Sequence, residues 1–487
     1  MQISLIELVS LLGYSGKLSR QTVPLRSPSP TVRGVSIDSR TIEPGQVFFA
    51  IRGPHFDGHN FVEQAFERGA VAAVVEQAFF DRAPAKLALS LVPVTETAEA
   101  IQRLARGVRR RWGGRVIAVT GSTGKTTTKE MIAALLGARL KVLKSPGNLN
   151  NDYGLPLALL KLEPPDQAAV VELAMSRPGE IARLARVAGP EIGVVTNVAP
   201  VHLQFFGSLT EIASAKRELI ENLAPPSTAI LNFDDSRVQA FREGFSGQAV
   251  TFGMGEGADF RAVEITRATP AGTRFRLIAR ALDGEFYLPL PGLHNIQNAL
   301  AALAAASLFN IPRKELQAAL GGFANLPQRS EILTLLDGVT LINDCYNSNP
   351  LAMERMLETL AAWGAVRRIV VAGEMLELGP SSPEWHRKVG RKAAQSRVDW
   401  LLGVQGDAQH LLDGAFEAGL PAERLRFFPS AAAAAEFLAA LVRPGDVVLV
   451  KGSRGVHLEK VVEFVKSQEK SEARSQKKPL PILTPDS

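Results

Sequence analysis

The chain has 487 residues, 46% of them hydrophobic, and a formal net charge of +6. That length bounds about three domains of roughly 150 residues and supplies apolar residues for several cores. A single cysteine excludes an internal disulfide and a multi-cysteine zinc site, and fits a reducing compartment.

The N-terminal "MQISLIELVSLLGYSGKLSR" lacks the basic start, apolar run and cleavage site of a signal peptide, and reads as a short amphipathic helix. No stretch has about 18 uninterrupted apolar residues, so the sequence predicts no membrane span and a cytoplasmic protein. Strands are expected at "VRGVSIDSR" (32–40), "GQVFFAIRG" (45–53) and "VAAVVE" (71–76), with a helix at "FVEQAFERGA" (61–70). The basic run "RLARGVRRRWGGR" (103–115) reads as a solvated helix end and linker. A nucleic-acid binder would instead show a basic stripe interleaved with aromatics.

From residue 115 the pattern is strand–helix alternation: "RVIAVTG" (115–121), the helix "KTTTKEMIAALLGARL" (125–140), then "QAAVVEL" (167–173) and "EIGVVTNV" (191–198). Such alternation implies a doubly wound parallel sheet. Strand-like stretches at 249–253, 261–268, 273–282 and 285–291, broken by turn residues such as Asp283-Gly284, predict a small, mostly antiparallel flank. An Ala-rich helix over 294–309 closes this part. Four more strands, "GVTLIND" (338–344), "RRIVVAGE" (367–374), "DWLLGV" (399–404) and "DVVLVKG" (446–452), predict a second open parallel sheet, Rossmann-like in pattern. The fold class is therefore α/β with three domains. A smaller N-terminal unit covers 1–112, a central phosphate-loop sheet with its β flank covers 113–327, and the C-terminal open sheet covers 328–466. A polar tail over 467–487 is expected to be disordered. Open sheets bind ligands at the carboxyl ends of their strands.

The strongest signal is "VTGSTGKTTTKE" (119–130). A strand ends, glycines let backbone N–H groups turn inward, and a helix begins at Lys125. Phosphate oxygens are cradled by such N–H groups and by the helix N-terminus. Lys125 supplies a mobile charge, and the Thr126 hydroxyl can ligate Mg2+. The loop is a tight G-x-x-G-K-T, Gly121 to Thr126, because Val119 stands where the longer P-loop has its first glycine. Metal candidates belong on neighbouring strand ends. Glu172 ends one strand and His202 follows another, and a hard cation takes carboxylate more readily than imidazole. Taken alone His202 reads more readily as a structural histidine, and its place after a strand of this sheet makes the two readings equal; Lys216 by itself reads as a solvated helix lysine.

Several stretches together resemble the Mur ligases, ATP-dependent amino-acid ligases of bacterial wall synthesis. These are "TGSTGKTT", "VTNVAPVHLQFFGSLTEIASAKRE", "LPGLHNIQNALAALA", "NDCYNSNP", "GEMLELG" with His386 downstream, and "LVKGSRG". "NLNNDYGLPLALL" and "VELAMSRPGEI" point the same way. The resemblance runs from about residue 30 to 465 and is best to the member that joins D-alanyl-D-alanine to a UDP-N-acetylmuramoyl tripeptide.

The resemblance implies roles as follows. Gly121, Ser122, Thr123, Gly124, Lys125, Thr126 and Thr127 hold the ATP phosphates. Thr126, Glu172, His202 and Lys216 hold Mg2+, two ions being expected, with Lys216 made anionic by carbamylation. Asn295 and Asn298 meet the adenine, while Arg329 and Asp344 reach the phosphate and ribose. Lys125, Lys216, His202 and Arg329 form the catalytic set. Ser39 and Arg40, in "DSR", lie in the UDP-sugar docking region together with "GPHFDGHNF", and Asn151, Tyr346, Asn347 and Asn349 face substrate. The partners are the UDP-tripeptide and the dipeptide, with no nucleic acid and a monomeric chain. The sequence departs from the family at "VHLQ" (201–204, commonly AHLE), at Gln328-Arg329 (often Gly-Arg) and at "VELAMSR" (often with Gly or Asn).

A carboxylate offers an amine no usable leaving group, so the chemistry needs an acyl phosphate made from ATP. Joining two anions demands clustered positive charge. The labile intermediate demands exclusion of water, expected from closure of the third domain onto the second. Some group must also deprotonate the amine. His386 is a candidate, and a helix-surface histidine is the plainer expectation. The nearest alternative is the sister ligase that adds a single amino acid to complete the tripeptide, against which "YNSNP" and "GEMLELG" argue. A folate-type ligase leaves the N-terminal region unexplained. A nucleotide switch would need a guanine-reading Asn/Thr-Lys-x-Asp segment, which does not follow the loop. Cys345 lies inside "LINDCYNSNP" with no base beside it, and is expected to be an inward-facing strand-end residue rather than a nucleophile.

Overall fold

In the computed structural model the described residues are 2–13, 29–53, 56–266, 272–280, 282–335 and 338–476. They form two units, Met1–Val198 with Ala213–Arg261 and Leu300–Leu316, and Ala199–Ile212 with Ala262–Ala299 and Gln317–Ser487.

In the first unit the N-terminal amphipathic helix is Leu5–Leu11, capped by Ser4, whose Oγ accepts the Glu7 N–H. A four-stranded parallel sheet follows, with strands Val35–Ser36, Val47–Phe49, Ala72–Glu76 and Leu91–Val94 side by side in chain order. The basic run lies on the helix Thr97–Trp112, which buries Ile101, Leu104, Ala105 and Val108 and ends at Gly113 in the left-handed region. Arg103, Arg106 and Arg110 face solvent, as expected, whereas Arg109 is buried and donates to the Ala188 carbonyl (2.9 Å) and Glu191 (2.6 Å).

The main sheet of this unit is parallel. Its order is Phe260–Val263, Gln248–Gly253, Thr228–Asn232, Ile192–Val195, Arg115–Thr120, Ala168–Glu172, Val142–Lys144. Both faces are covered, so its central strands read as continuous apolar runs such as "VIAV". The chain leaves Arg115–Thr120 toward one side of the sheet and later returns on the other. The loop after that strand is thus a topological switch point.

The flank differs from expectation. Gln248–Gly253 and Phe260–Val263 continue the parallel sheet. Thr273–Ile278 and Gly284–Leu288, in the second unit, pair antiparallel as expected, with Phe275 opposite Phe286. The connection over 254–259 thus joins parallel neighbours within the flank expected to be mostly antiparallel, a distinction hydrophobic pattern does not encode.

The second unit carries a six-stranded sheet in the order Glu331–Thr334, Thr340–Asn343, Asp446–Lys451, Arg367–Gly373, Trp400–Val404, Leu425–Phe428. Neighbouring strands are parallel except the first pair, so the expected open parallel sheet acquires one antiparallel edge. Period-two alternation splits its residues between two cores. Ile342, Val370, Leu401 and Leu449 enter one, while Leu341, Ile369, Leu402 and Val448 enter the other with Cys345. The last helix spans Glu459–Gln476 and so runs ten residues into the expected tail. Residues 477–487 lie outside the described residues, as do parts of the expectations at 1–20, 53–61, 261–268 and 273–282. Among the described residues no helix is long and apolar enough to cross a membrane.

Candidate active site

The phosphate loop connects the strand Arg115–Thr120 to the helix Lys125–Leu136. Gly121 has φ +146°, and a Cβ there would lie 1.8 Å from Thr196 Oγ1, so only glycine fits. Gly124 caps the helix at φ +79°. Two residues at the end of the neighbouring strand clamp the loop. The Ser122 N–H donates to the Asn197 carbonyl (2.9 Å) and the Thr123 N–H to Asn197 Oδ1 (3.0 Å). Thr196 Oγ1 donates to the Thr123 carbonyl (2.6 Å). Lys125 curls over the loop, its Nζ 2.8 Å from the Gly121 carbonyl.

Thr126 Oγ1 donates to Glu172 Oε2 at 2.6 Å, and Asn150 Nδ2 donates to Oε1 of the same carboxylate at 2.9 Å. Glu172 is buried. A hydroxyl and a carboxylate beside a phosphate cradle are hard oxygen donors, and this set fits Mg2+. Among the described residues no group of three or more His, Cys, Asp and Glu is arranged around a metal position. Lys216, on the helix Leu209–Glu221, is buried rather than solvated. Burial, and then the nearby Lys125 charge, push its ammonium well below the ordinary lysine range. Asn151 lies in the turn before the helix Gly154–Leu159, its Oδ1 accepting the Gly154 N–H at 2.8 Å. Ser39 Oγ donates to Gln64 (2.6 Å), and Arg40 forms a fork with Asp38, whose carboxyl its hydrogen bonds hold down at about 2.

The second unit gathers the C-terminal motifs. Asp344 ends the strand Thr340–Asn343, accepting the Ser330 N–H (2.8 Å) and the Lys451 ammonium (2.6 Å). Lys451 also donates to the Asn347 carbonyl (2.9 Å). The Arg329 guanidinium lies 4.1 Å from the Tyr346 ring centroid. Gln328 and Ser330 flank Arg329 at φ +60° and +52°, so the Gln328 departure sits where glycine is favoured. Asn349 caps the helix Pro350–Ala361, with Pro350 at its first position. Asn295 and Asn298 are buried, and Asn298 Nδ2 donates to Asn295 Oδ1 at 3.2 Å.

His202 belongs to this unit, at φ +54°, its ring against the Glu377 carboxylate. Glu172, Thr126 and Lys216 belong to the first unit. His386 is buried, not on a helix surface. Its Nδ1 bonds the Ser382 carbonyl (2.8 Å) and its Nε2 accepts the Met375 N–H (3.0 Å). Both ring nitrogens are therefore committed, Nε2 to Met375 of "GEMLELG" and Nδ1 to the start of its own helix. Cys345 is buried, with Sγ 2.9 Å from Asn343 Oδ1, and burial pushes its thiol up to about 12.

Sequence reasoning gave no role to Asn150, Thr196, Asn197 or Lys451. The letters "TN" and "LVKG" stood in quoted motifs, but only the sheet order turns them toward the loop and toward Asp344.

A phosphate loop at a switch point and a second open sheet with a polar strand-end cluster define a nucleotide-using α/β enzyme. Three family profiles match in succession: the Mur ligase family catalytic domain over 31–109, the Mur ligase middle domain over 119–306, and the Mur ligase glutamate ligase domain over 328–454. The chain belongs to the Mur ligase family and is an ATP-dependent amide-bond-forming ligase.

It is 35% identical to the UDP-N-acetylmuramoyl-tripeptide–D-alanyl-D-alanine ligase of Bacillus subtilis (strain 168), over 89% of this chain and 93% of that protein. It is 35% identical to the protein of the same name from Escherichia coli (strain K12), over 90% and 94%. Among solved structures, MurF from Acinetobacter baumannii superposes with a TM-score of 0.82 at 32% identity, covering 90% of this chain and 94% of that one. MurF ligase from Thermotoga maritima in complex with ADP gives 0.80 at 29%, covering 91% and 99%.

Proposed function

We propose that this chain uses ATP to join D-alanyl-D-alanine to the terminal carboxylate of a UDP-N-acetylmuramoyl tripeptide, a peptide-addition step in building peptidoglycan precursor. The observation that carries the reading is its likeness, over about nine-tenths of its length, to ligases of that name. The phosphate loop supports the use of ATP.

In this reading the γ-phosphoryl passes to the tripeptide carboxylate, giving an acyl phosphate. The dipeptide amine attacks, a tetrahedral intermediate forms, and phosphate leaves. Gly121, Ser122, Thr123, Gly124 and Thr127 orient the phosphates, and Lys125 and Arg329 offset the charge of two anions brought together. Asn295, Asn298 and Asp344 hold the nucleoside. Ser39, Arg40, Asn151, Tyr346, Asn347 and Asn349 position the two substrates. Mg2+, on Thr126 and Glu172, would supply charge neutralisation at the phosphates. His202 and Lys216 are further ligands in this proposal, for two ions. A neutral Lys216 amine is the form that reacts with CO2, and carbamylation would convert it to an anion. With its ring nitrogens committed, His386 is not the base. The protein works as a cytoplasmic monomer of three domains, 1–112, 113–327 and 328–466.

The test is phosphate release by purified protein with UDP-N-acetylmuramoyl tripeptide, in its diaminopimelate and lysine forms. Dipeptide-dependent release is expected. Release with single amino acids but not with the dipeptide would favour the tripeptide-forming sister activity, and no release with either would sink the ligation reading.

A further inference from the structure

His202 and Glu377 meet in a contact to which the scheme above gives no role. His202 stands in the segment Ala199–Ile212, which belongs to the second unit together with "GEMLELG". Three observations seat that segment on the motif. The Gln204 N–H donates to the Glu377 carbonyl at 3.3 Å. Leu203 packs against the core that holds Met375 and Leu378. A Cβ at Gly379 would lie 3.3 Å from Gln204 Cα, so the two backbones approach closely. His202 and Glu377 both hold left-handed backbone, at φ +54° and +65°. Non-glycine residues are uncommon there, and such strain persists where the surroundings fix it.

The contact involves one ring nitrogen. His202 Nδ1 is closed off from solvent, and Glu377 Oε2 lies against it. A buried ring N–H without an acceptor is costly, and this carboxylate is the acceptor in place. Nε2 makes no hydrogen bond among the described residues. The neighbouring acids are otherwise engaged. Glu211 accepts the Gly207 N–H (2.9 Å), and Glu374 accepts the Asp407 N–H (3.1 Å). The segment "VAPVHLQFFG" (198–207) holds no carboxylate of its own, because Gln204 stands where the family commonly has glutamate.

We propose that Glu377 is a positioning residue for His202, holding its proton on Nδ1 and so leaving the Nε2 lone pair for a divalent cation. The inference rests on the reading above in which His202 is a metal ligand. A ring nitrogen binds a metal only when it carries no proton. Which nitrogen is bare is set by the hydrogen bond that the other one makes. A carboxylate on the far nitrogen also fixes the ring's orientation and raises its basicity toward the cation. Glu377 meets both needs from outside the segment that carries the histidine.

The experiment uses the full chain with isotope-labelled histidine, and Mn2+ alone as the metal probe. His202→Gln assigns the His202 ring signals in nitrogen NMR spectra. At pH 8 the wild-type ring is expected to carry its proton on Nδ1. Glu377→Leu, similar in size but unable to accept, should lose that preference. It should also weaken Mn2+ binding by roughly 10- to 100-fold, read from the EPR signal of free Mn2+. Glu377→Gln keeps an acceptor oxygen and should fall between. In a His202→Gln background Glu377→Leu should weaken Mn2+ binding no further. A contact that merely docked the segment would lower the melting temperature and leave the tautomer and the Mn2+ affinity alone. Should Glu377→Leu not fold, Glu377→Gln carries the comparison. A wild-type ring protonated on Nε2, or a tautomer indifferent to Glu377→Leu, overturns the inference. Mn2+ binding weakened by His202→Gln but not by Glu377→Leu also overturns it, while the ligand reading stands. Mn2+ binding unchanged in His202→Gln overturns both.

Discussion

Cys345 and Lys216 show how burial decides chemistry that residue type leaves open. The Cys345 thiol lies in an apolar core, pushed up to about 12, and is therefore almost wholly protonated at neutral pH. Iodoacetamide at pH 8 should leave the native protein unmodified by mass spectrometry, and Cys345→Ser should keep most of the activity. Its neighbour Asp344 behaves oppositely. Asp344→Ala would leave the buried Lys451 ammonium without its carboxylate, losing most of the turnover and about 3 kcal/mol of stability by denaturant titration. Lys216 carries a pH signature. Unfolded, it binds a proton up to its ordinary value of 10.5; folded, it releases that proton at a much lower pH. Between those limits the unfolded state holds more protons, so stability rises with pH. Lys216→Met should therefore raise the melting temperature at pH 7 in CO2-free buffer, with the gain shrinking toward pH 10.5. A gain that grows with pH would contradict that burial.

At the scale of elements, the phosphate loop is a strand, a turn and a helix whose geometry is local, which is why its letters alone located it. What holds it is not local. Thr196 and Asn197 arrive from a strand more than 70 residues away and occupy the space that a side chain at 121 would need. Gly121→Ala combines a left-handed φ with that overlap, and should cost about 3 kcal/mol and abolish ADP binding in calorimetry. The flank illustrates the converse. Apolar pattern and turn residues located its strands but not the parallel pairing of Gln248–Gly253 with Phe260–Val263, because parallel and antiparallel neighbours share the same period. The edge strands Glu331–Thr334 and Leu425–Phe428 escaped detection because they are short and half-exposed, with no continuous apolar run.

For the whole molecule, ligand linkage gives the clearest reading. Mg-ADP at 100 times its Kd should stabilise the native chain by about 2.7 kcal/mol, measured by thermal shift, and Gly121→Ala should erase the shift. The sequence by itself determined the α/β class, the strand–helix alternation, the phosphate loop and the order of motifs that marks the family. Each of these is written in local spacing, in turn chemistry or in a linear series of letters. Only the tertiary structure decided that His386 is a buried support, that Lys216 sits out of water beside a second cation, and that Lys451 is bound to Asp344. Those facts depend on which strands lie side by side and on what burial removes from solvent. Residues more than 100 positions apart in the chain acquire a common environment only when the sheet order is set.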